Sequence, residues 1–184
     1  MYEFYVTIIG AKQGRFPGEA PQGPHEGKLV GLAYDQASLT ATSSTGTRTG
    51  KLTLQPVRFT KEWGAASPAL LAAIGAGEAL TSVVFEFVRT SDEGVQEVFH
   101  RVTLANARVV ELRPFVDLDA EPSSLMPLPP LEEVAIAYAG LTVENLAHGT
   151  RASAGTVGRA RATSAPRAKP AAKAKPAAKA RTRR

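Results

Sequence analysis

The chain has 184 residues, which suits one domain with an appendage better than two full domains, and it has no cysteine, which excludes thiol catalysis, disulfides and cysteine-ligated zinc. Charge divides it: residues 1–150 hold all 17 Asp and Glu and 11 of the 22 Lys and Arg, a net of −6, whereas residues 151–184 hold 11 basic residues and no acid. The net charge of +5 therefore averages an acidic body, large enough for its own core, with a very basic appendage.

In residues 2–9, Tyr2, Phe4, Val6 and Ile8 alternate with Glu3, Tyr5, Thr7 and Ile9, the period-two pattern of a strand with one face on a core. No basic segment precedes that run, so it does not read as a secretory signal. No stretch reaches the ~18 apolar residues of a spanning helix. These features predict a soluble protein made in the cytoplasm, without membrane insertion. Residues 14–27, crowded with proline and glycine, predict a long loop. Strand character returns in residues 28–39 around Val30, Leu32 and Tyr34, and 41–50 is turn chemistry. Residues 51–60 predict another strand. There Leu52 and Leu54 share one parity while Val57 and Phe59 share the other, with Pro56 between, so a bulge or kink is expected.

Residues 60–90 hold the one convincing helix. Ser67 supplies an N-cap acceptor and Pro68 suits the first helical position. Leu70, Leu71, Ala73 and Ile74 form an apolar stripe, and Gly75 and Gly77 straddle the C-terminus. So short a helix depends on packing against the rest of the chain. Residues 81–90, rich in β-branched and aromatic side chains, predict a strand buried on both faces. The loop 91–94 joins it in a hairpin to residues 95–115, which are long enough to bend at Asn106. Residues 117–131 read as an acidic, proline-rich extended connection, and 132–146 as a closing strand. The fold class expected is mainly β: an antiparallel β-barrel or sandwich with one short flanking α-helix.

Little here resembles catalytic chemistry. Gly46-Thr-Arg-Thr-Gly50-Lys51 is one residue short of a phosphate loop, lacks the final Ser or Thr and precedes a strand. His25, His100 and His148 lie far apart, without partners at the spacing of a triad or a metal site. Asp117, Asp119 and Glu121 offer alternate oxygens to a hard cation, but read more simply as a solvated acidic loop. Trp63 is either an interface anchor or a plug at the end of the barrel. No nucleophile, base and orienter converge. The expectation is a protein that is not an enzyme, with no catalytic residue, metal or cofactor.

Read together, AKQGRFPGE at residues 11–19, FTKEWGAASPALL at 59–71, SVVFEFVRT at 82–90 and VFHRVTLANARV at 98–109 resemble the haemolysin-coregulated protein (Hcp) family, the tube subunit of bacterial type VI secretion systems. The likeness spans most of residues 2–147. It implies a β-barrel of two sheets with a flanking helix, and homohexameric rings that stack into a hollow tube carrying small effectors in its lumen. The partners it implies are further copies of the chain and the sheath, baseplate and spike components. It also implies export through the secretion apparatus without a signal peptide. Closed rings with an open-ended stacking contact give such a tube, and joining barrels side by side covers edge strands. Lys61, Glu62, Trp63, Leu70 and Arg89 are the subunit-contact candidates. The last strand, 135–150, matches the family only loosely, and the tail from Arg151 belongs to no part of the tube fold.

The division expected is therefore a barrel over residues 1–150 and a Lys/Arg/Ala/Pro-rich tail over 151–184. Residues 169–180 repeat KPAAKA twice and offer no apolar face, which predicts disorder. Arg159, Arg161, Arg167, Lys169, Lys173, Lys175, Lys179, Arg181, Arg183 and Arg184 are the candidates for polyanion binding. With no aromatic to stack on bases, binding to nucleic acid through this tail would be non-specific. The alternatives are a tail that only carries charge, and one that touches acidic faces of neighbouring rings. For the whole chain, the alternatives to a type VI tube are an oligomeric nucleic-acid binder and the tail tube of a phage-like contractile injection system.

Overall fold

The alternation that opens the chain becomes strand β1 (Glu3–Gly10), with Phe4, Val6 and Ile8 buried in the core. The computed structural model containing it describes residues 3–21, 23–91, 93–116 and 129–155. Along the chain follow β2 (Gly14–Arg15), β3 (Leu29–Gly31), β4 (Ala33–Asp35), β5 (Ser38–Thr42), β6 (Arg48–Leu54) and β7 (Val57–Glu62). The helix α1 (Ser67–Ala76) then precedes β8 (Leu80–Thr90), β9 (Gln96–Ala105), β10 (Arg108–Phe115), β11 (Leu131–Ala137), β12 (Gly140–Asn145) and β13 (Thr150–Gly155).

These strands make an antiparallel β-barrel of two sheets with one short helix on its flank. The first sheet runs β13-β12-β9-β8-β1-β2, with β3 also on β1; the second runs β10-β11-β7-β4; β5 and β6 form a separate two-stranded ribbon. Phe85 stands at the centre of the core. Its ring meets Phe59 of the second sheet edge-on at 5.5 Å and Tyr34 at 5.1 Å, and lies 6.4 Å from Phe4. Val6, Ile8, Val83 and Leu104 from one sheet and Val57, Val134 and Ile136 from the other complete it. Each such side chain contributes roughly 1.5–3 kcal/mol by leaving water, so the barrel needs no covalent staple.

Runs read as single strands prove to be pairs that change sheets. Residues 28–39 break at Leu32, which is exposed and whose N–H donates to the Thr60 carbonyl at 2.8 Å, as the chain leaves β3 in the first sheet for β4 in the second. Residues 95–115 bend where Asn106 takes φ 52°, between β9 and β10, as expected. Residues 132–146 turn at 138–139 from β11 into β12, one corner more than alternation revealed. The expected kink around Pro56 is a full break, with β6 in the ribbon and β7 in the barrel. Half of the stretch read as turn, residues 41–42 and 48–50, is strand of the ribbon. Its true turn is residues 43–47, with Gly46 at φ 79°.

The helix differs from expectation in its details. Ala66, not Ser67, occupies the N-cap and makes no side-chain cap, so Ser67 is the first helical residue and Pro68 the second. Gly77 closes the helix at φ 57°, in the left-handed region that glycine adopts cheaply. Leu70 and Ala73 enter the core, but Leu71 is 63% exposed. Strand β13 carries the ladder to Gly155, so residues 151–155 of the expected tail belong to the first sheet, and Arg151 pairs with Glu144 at 3.5 Å. The remaining tail candidates, from Arg159 onward, lie outside the described residues, as do Asp117, Asp119 and Glu121.

Candidate assembly surface

Where β7 ends and α1 begins, the chain buries a charge. Lys61 is 1% exposed and Glu132, opposite it on β11, 2%. The Lys61 ammonium lies 3.1 Å from Glu132 Oε1, donates to the Glu62 carbonyl and stands 3.8 Å from Glu19. Ser67 donates to the same Glu132 oxygen at 2.8 Å while accepting the Gly64 N–H at 3.1 Å. The hydroxyl expected to cap the helix therefore fastens its first turn to β11. Such a cluster stands in the core only because every charge has a partner.

This burial corrects two of the subunit-contact candidates. Lys61 and Leu70 face the interior of the subunit and offer no surface to a neighbour. Glu62 and Trp63 lie on the outside. Trp63 is 50% exposed, anchored by its indole N–H to the Leu131 carbonyl at 2.8 Å and by its backbone N–H to Pro130. Arg89 lies on the other sheet, close to the β8–β9 turn, paired with Glu97 at 2.7 Å and over the Phe99 ring.

The helix supplies a signal that the sequence reading missed. SPALLAAIGA has no charged residue at all, yet only Leu70 and Ala73 are buried. A helix apolar all round is normally covered all round, and here Leu71 is left in the open. Leu39 and Leu52 on the ribbon are likewise exposed, at 55% and 38%.

Clefts on the barrel offer no comparable chemistry. One of about 570 Å³ lies at the β8–β9 turn and is lined by Arg89, Glu93, Val95 and Glu97. Among the described residues no group of three or more His, Asp or Glu could hold a metal. His100 stands beside the Phe87 ring, His148 lies near Asn145, and Gly46 and Thr47 lead into β6, which holds Arg48 to Lys51.

His25 belongs to a different construction. The loop before β3 folds over the outer face of the first sheet, where Ala20 joins Tyr5 and Val88 in a small apolar cluster. His25, 8% exposed, stacks on Tyr5 at 4.1 Å and accepts at Nδ1 from the Lys28 ammonium at 3.2 Å. Lys28 also binds Glu86, whose other oxygen takes Arg101 at 3.0 Å. Burial lowers the His25 pKa below its usual 6.5 and Lys28 lowers it further, against the opposite pull of Glu86. Burial alone would raise Glu86, but its bonds to Lys28 and Arg101 prevail and hold it below 4.5. Glu78, bonded first by the Gln13 backbone, then by the Gln13 side chain and Lys12 N–H, is also lowered.

All three folded-state values lie below the unfolded ones, so their stabilisation is complete above the unfolded pKa and is lost as pH falls. Urea midpoints should therefore decline below about pH 6.5 through His25, and again below about pH 4.5 through Glu78 and Glu86. A His25→Gln variant should show the second decline without the first.

Comparison with known proteins gives a single direction. A family model described as "Type VI secretion system effector, Hcp" matches residues 5–144. The "Major exported protein" of Pseudomonas aeruginosa is 30% identical over 159 residues, covering 81% of this chain and 92% of its own. A crystal structure of an Hcp protein superposes with a TM-score of 0.77 at 22% identity, covering 84% of this chain and 98% of its own. The secreted protein Hcp3 of Pseudomonas aeruginosa does so with a TM-score of 0.66 at 26% identity, over the same shares.

Proposed function

The chain belongs to the Hcp family of type VI secretion proteins, and from that premise we propose that it is a structural subunit of the secretion tube rather than an enzyme. Copies join through the apolar outer side of α1, Trp63 and the ribbon into hexameric rings, and the rings stack into a tube that is expelled with effectors in its lumen. The tube's further partners are sheath, baseplate and spike components. Export proceeds through the apparatus itself; no helix among the described residues is long and apolar enough to cross a membrane. The observation that carries the reading is a helix without charge whose outer side is uncovered in the single subunit, on a barrel that matches the family through residues 5–144. Arg89, already paired with Glu97, is left a minor contact at most, since an exposed ion pair contributes little.

The test is negative-stain electron microscopy of the full chain at high concentration, with mass measured by light scattering. Six-fold rings are expected, lengthening into stacks as concentration rises. Strictly monomeric particles at every salt concentration would overturn the proposal.

A further inference from the structure

The loop before β3 ends in a folded turn that lies on the barrel rather than in it. Within this turn the Glu26 N–H donates to the Gly23 carbonyl at 3.2 Å and the Lys28 N–H to that of His25 at 3.1 Å. Its neck is closed by the Ala20 N–H on the Lys28 carbonyl at 3.0 Å and the Gly27 N–H on that of Ala20 at 3.2 Å. Gly18 crosses the Lys28 backbone so closely that a Cβ there would overlap it. Phe16 and Leu29, on either side of the loop, are held in the main core. The cluster under the turn, Tyr5, Ala20 and Val88 with Val30 and Val98 against it, is separate from that core. The turn can therefore leave while its arms stay anchored and the barrel keeps its packing. Gly27, at φ 66°, is the natural joint.

His25 holds the turn down. Its ring, in a residue 8% exposed, lies flat on Tyr5, 4.1 Å away with 6° between the planes. Its Nδ1 accepts from the Lys28 ammonium at 3.2 Å. A protonated ring cannot accept that bond, because both of its nitrogens then carry protons. The charged groups around it are Lys28 on its own turn, Glu86 on β8 and Arg101 on β9, with Glu86 already shared between the two cations. A proton on His25 would set three cations around that one carboxylate. Arg15, whose guanidinium donates to the Glu26 carbonyl at 3.1 Å, adds positive charge beside the turn, and the Glu26 side chain is exposed, where water screens it.

We propose that residues 23–27 are an acid-released latch, closed over Tyr5 and Val88 while His25 is neutral, and lifted about Gly27, with that apolar patch uncovered, once the ring takes a proton. The closed latch holds the His25 pKa below its usual 6.5, first through burial and then through Lys28, against the weaker pull of Glu86. In the lifted turn the ring regains its usual value, so the lifted form binds the extra proton. Below about pH 6.5 the ratio of lifted to closed latch therefore grows up to tenfold per pH unit, until the closed-form pKa is reached. Glu78 and Glu86, held below 4.5, stay ionised through this window and do not contribute.

The experiment is hydrogen exchange read by mass spectrometry on the full chain between about pH 7.5 and 5.5, corrected for the intrinsic exchange rate at each pH. A peptide over residues 17–28 is compared with one over 80–90, which lies in the β1–β8 ladder. Exchange in the first should speed by up to about tenfold over the lower pH unit, as the Gly27 and Lys28 amides lose their partners, while the second keeps its rate. His25→Gln, which takes no proton, should show one rate across the range. Lys28→Gln, which spares the ring its nearest cation, should show a weaker dependence than the natural chain. Circular dichroism checks that both variants are folded. No acceleration in the natural chain overturns the proposal. So does equal acceleration of both peptides, which is loosening of the whole barrel, and so does an acceleration that persists in folded His25→Gln. The latch lies apart from α1, Trp63 and the ribbon, and exchange in residues 17–28 reads it whether or not rings form, so it stands or falls separately from the tube proposal.

Discussion

Lys61→Ala lowers the thermal unfolding midpoint by on the order of 10 °C. The substitution removes the ammonium and leaves Glu132, 2% exposed, with only the Ser67 hydroxyl to answer its charge. Breaking a buried pair from one side costs about 3–5 kcal/mol, and each kcal/mol moves the midpoint by roughly 2–4 °C in a domain of this size. Glu132→Gln should cost less, since the amide keeps an acceptor for Ser67 and carries no charge, although Lys61 then loses its carboxylate. The decisive comparison is Lys61→Met/Glu132→Leu, which removes both charges and fills the space. If desolvation governs the pair, the double variant regains most of the lost midpoint. If it is as unstable as Lys61→Ala, the loss comes from volume and backbone contacts, and the charge argument is wrong.

Leu71→Asp should abolish rings in a subunit that remains folded. Leu71 is 63% exposed in the single subunit, so a carboxylate there costs the barrel little, whereas in a packed interface it would bury an unpaired charge. The few anchors that dominate an interface cost about 2 kcal/mol or more when truncated, and a closed ring repeats the loss at every joint. Trp63→Ala should weaken the rings in the same way, at a modest cost to folding from the lost bond to Leu131. Leu70→Ala is the control. Wholly buried, it should lose about 2–5 kcal/mol of stability, and rings only in proportion to the unfolded fraction. Paired light-scattering and thermal-melt measurements separate the cases. Intact rings in folded Leu71→Asp would remove α1 from the contact.

Local signals in the sequence were read well where one segment determines its own structure. The alternation of β1, the proline and glycine that bound α1, the β8–β9 hairpin and the bend at Asn106 all depend on residues a few positions apart. What escaped notice depends on distant partners. Leu32 and residues 138–139 are corners because the barrel must pass the chain from one sheet to the other, and nothing in their composition announces it. The facing ends of β5 and β6, within residues 41–50, read as turn because their Thr and Ser residues fit either. Lys61 read as a surface residue because its partner lies 71 positions away, and in a sequence a lysine gives no sign that it is neutralised. Leu71 reads as core in the sequence because the helix is apolar on every side.

The pairing of β1 with β8 has a consequence during synthesis. About 70 residues separate the end of β1 from the start of its partner. At a translation rate of roughly 5–20 residues per second, the first strand waits some 4–14 s before β8 leaves the ribosome. In that interval Phe4, Val6 and Ile8, with the backbone edge that β8 will take still unpaired, form an exposed apolar strand that can pair with another nascent chain. The hairpin β8–β9 should then form first, through short-range pairing, and act as the template onto which the waiting strand docks. Slowing translation ahead of residue 80 would be expected to reduce the yield of native protein, and chaperone capacity would be needed most before the barrel has any core.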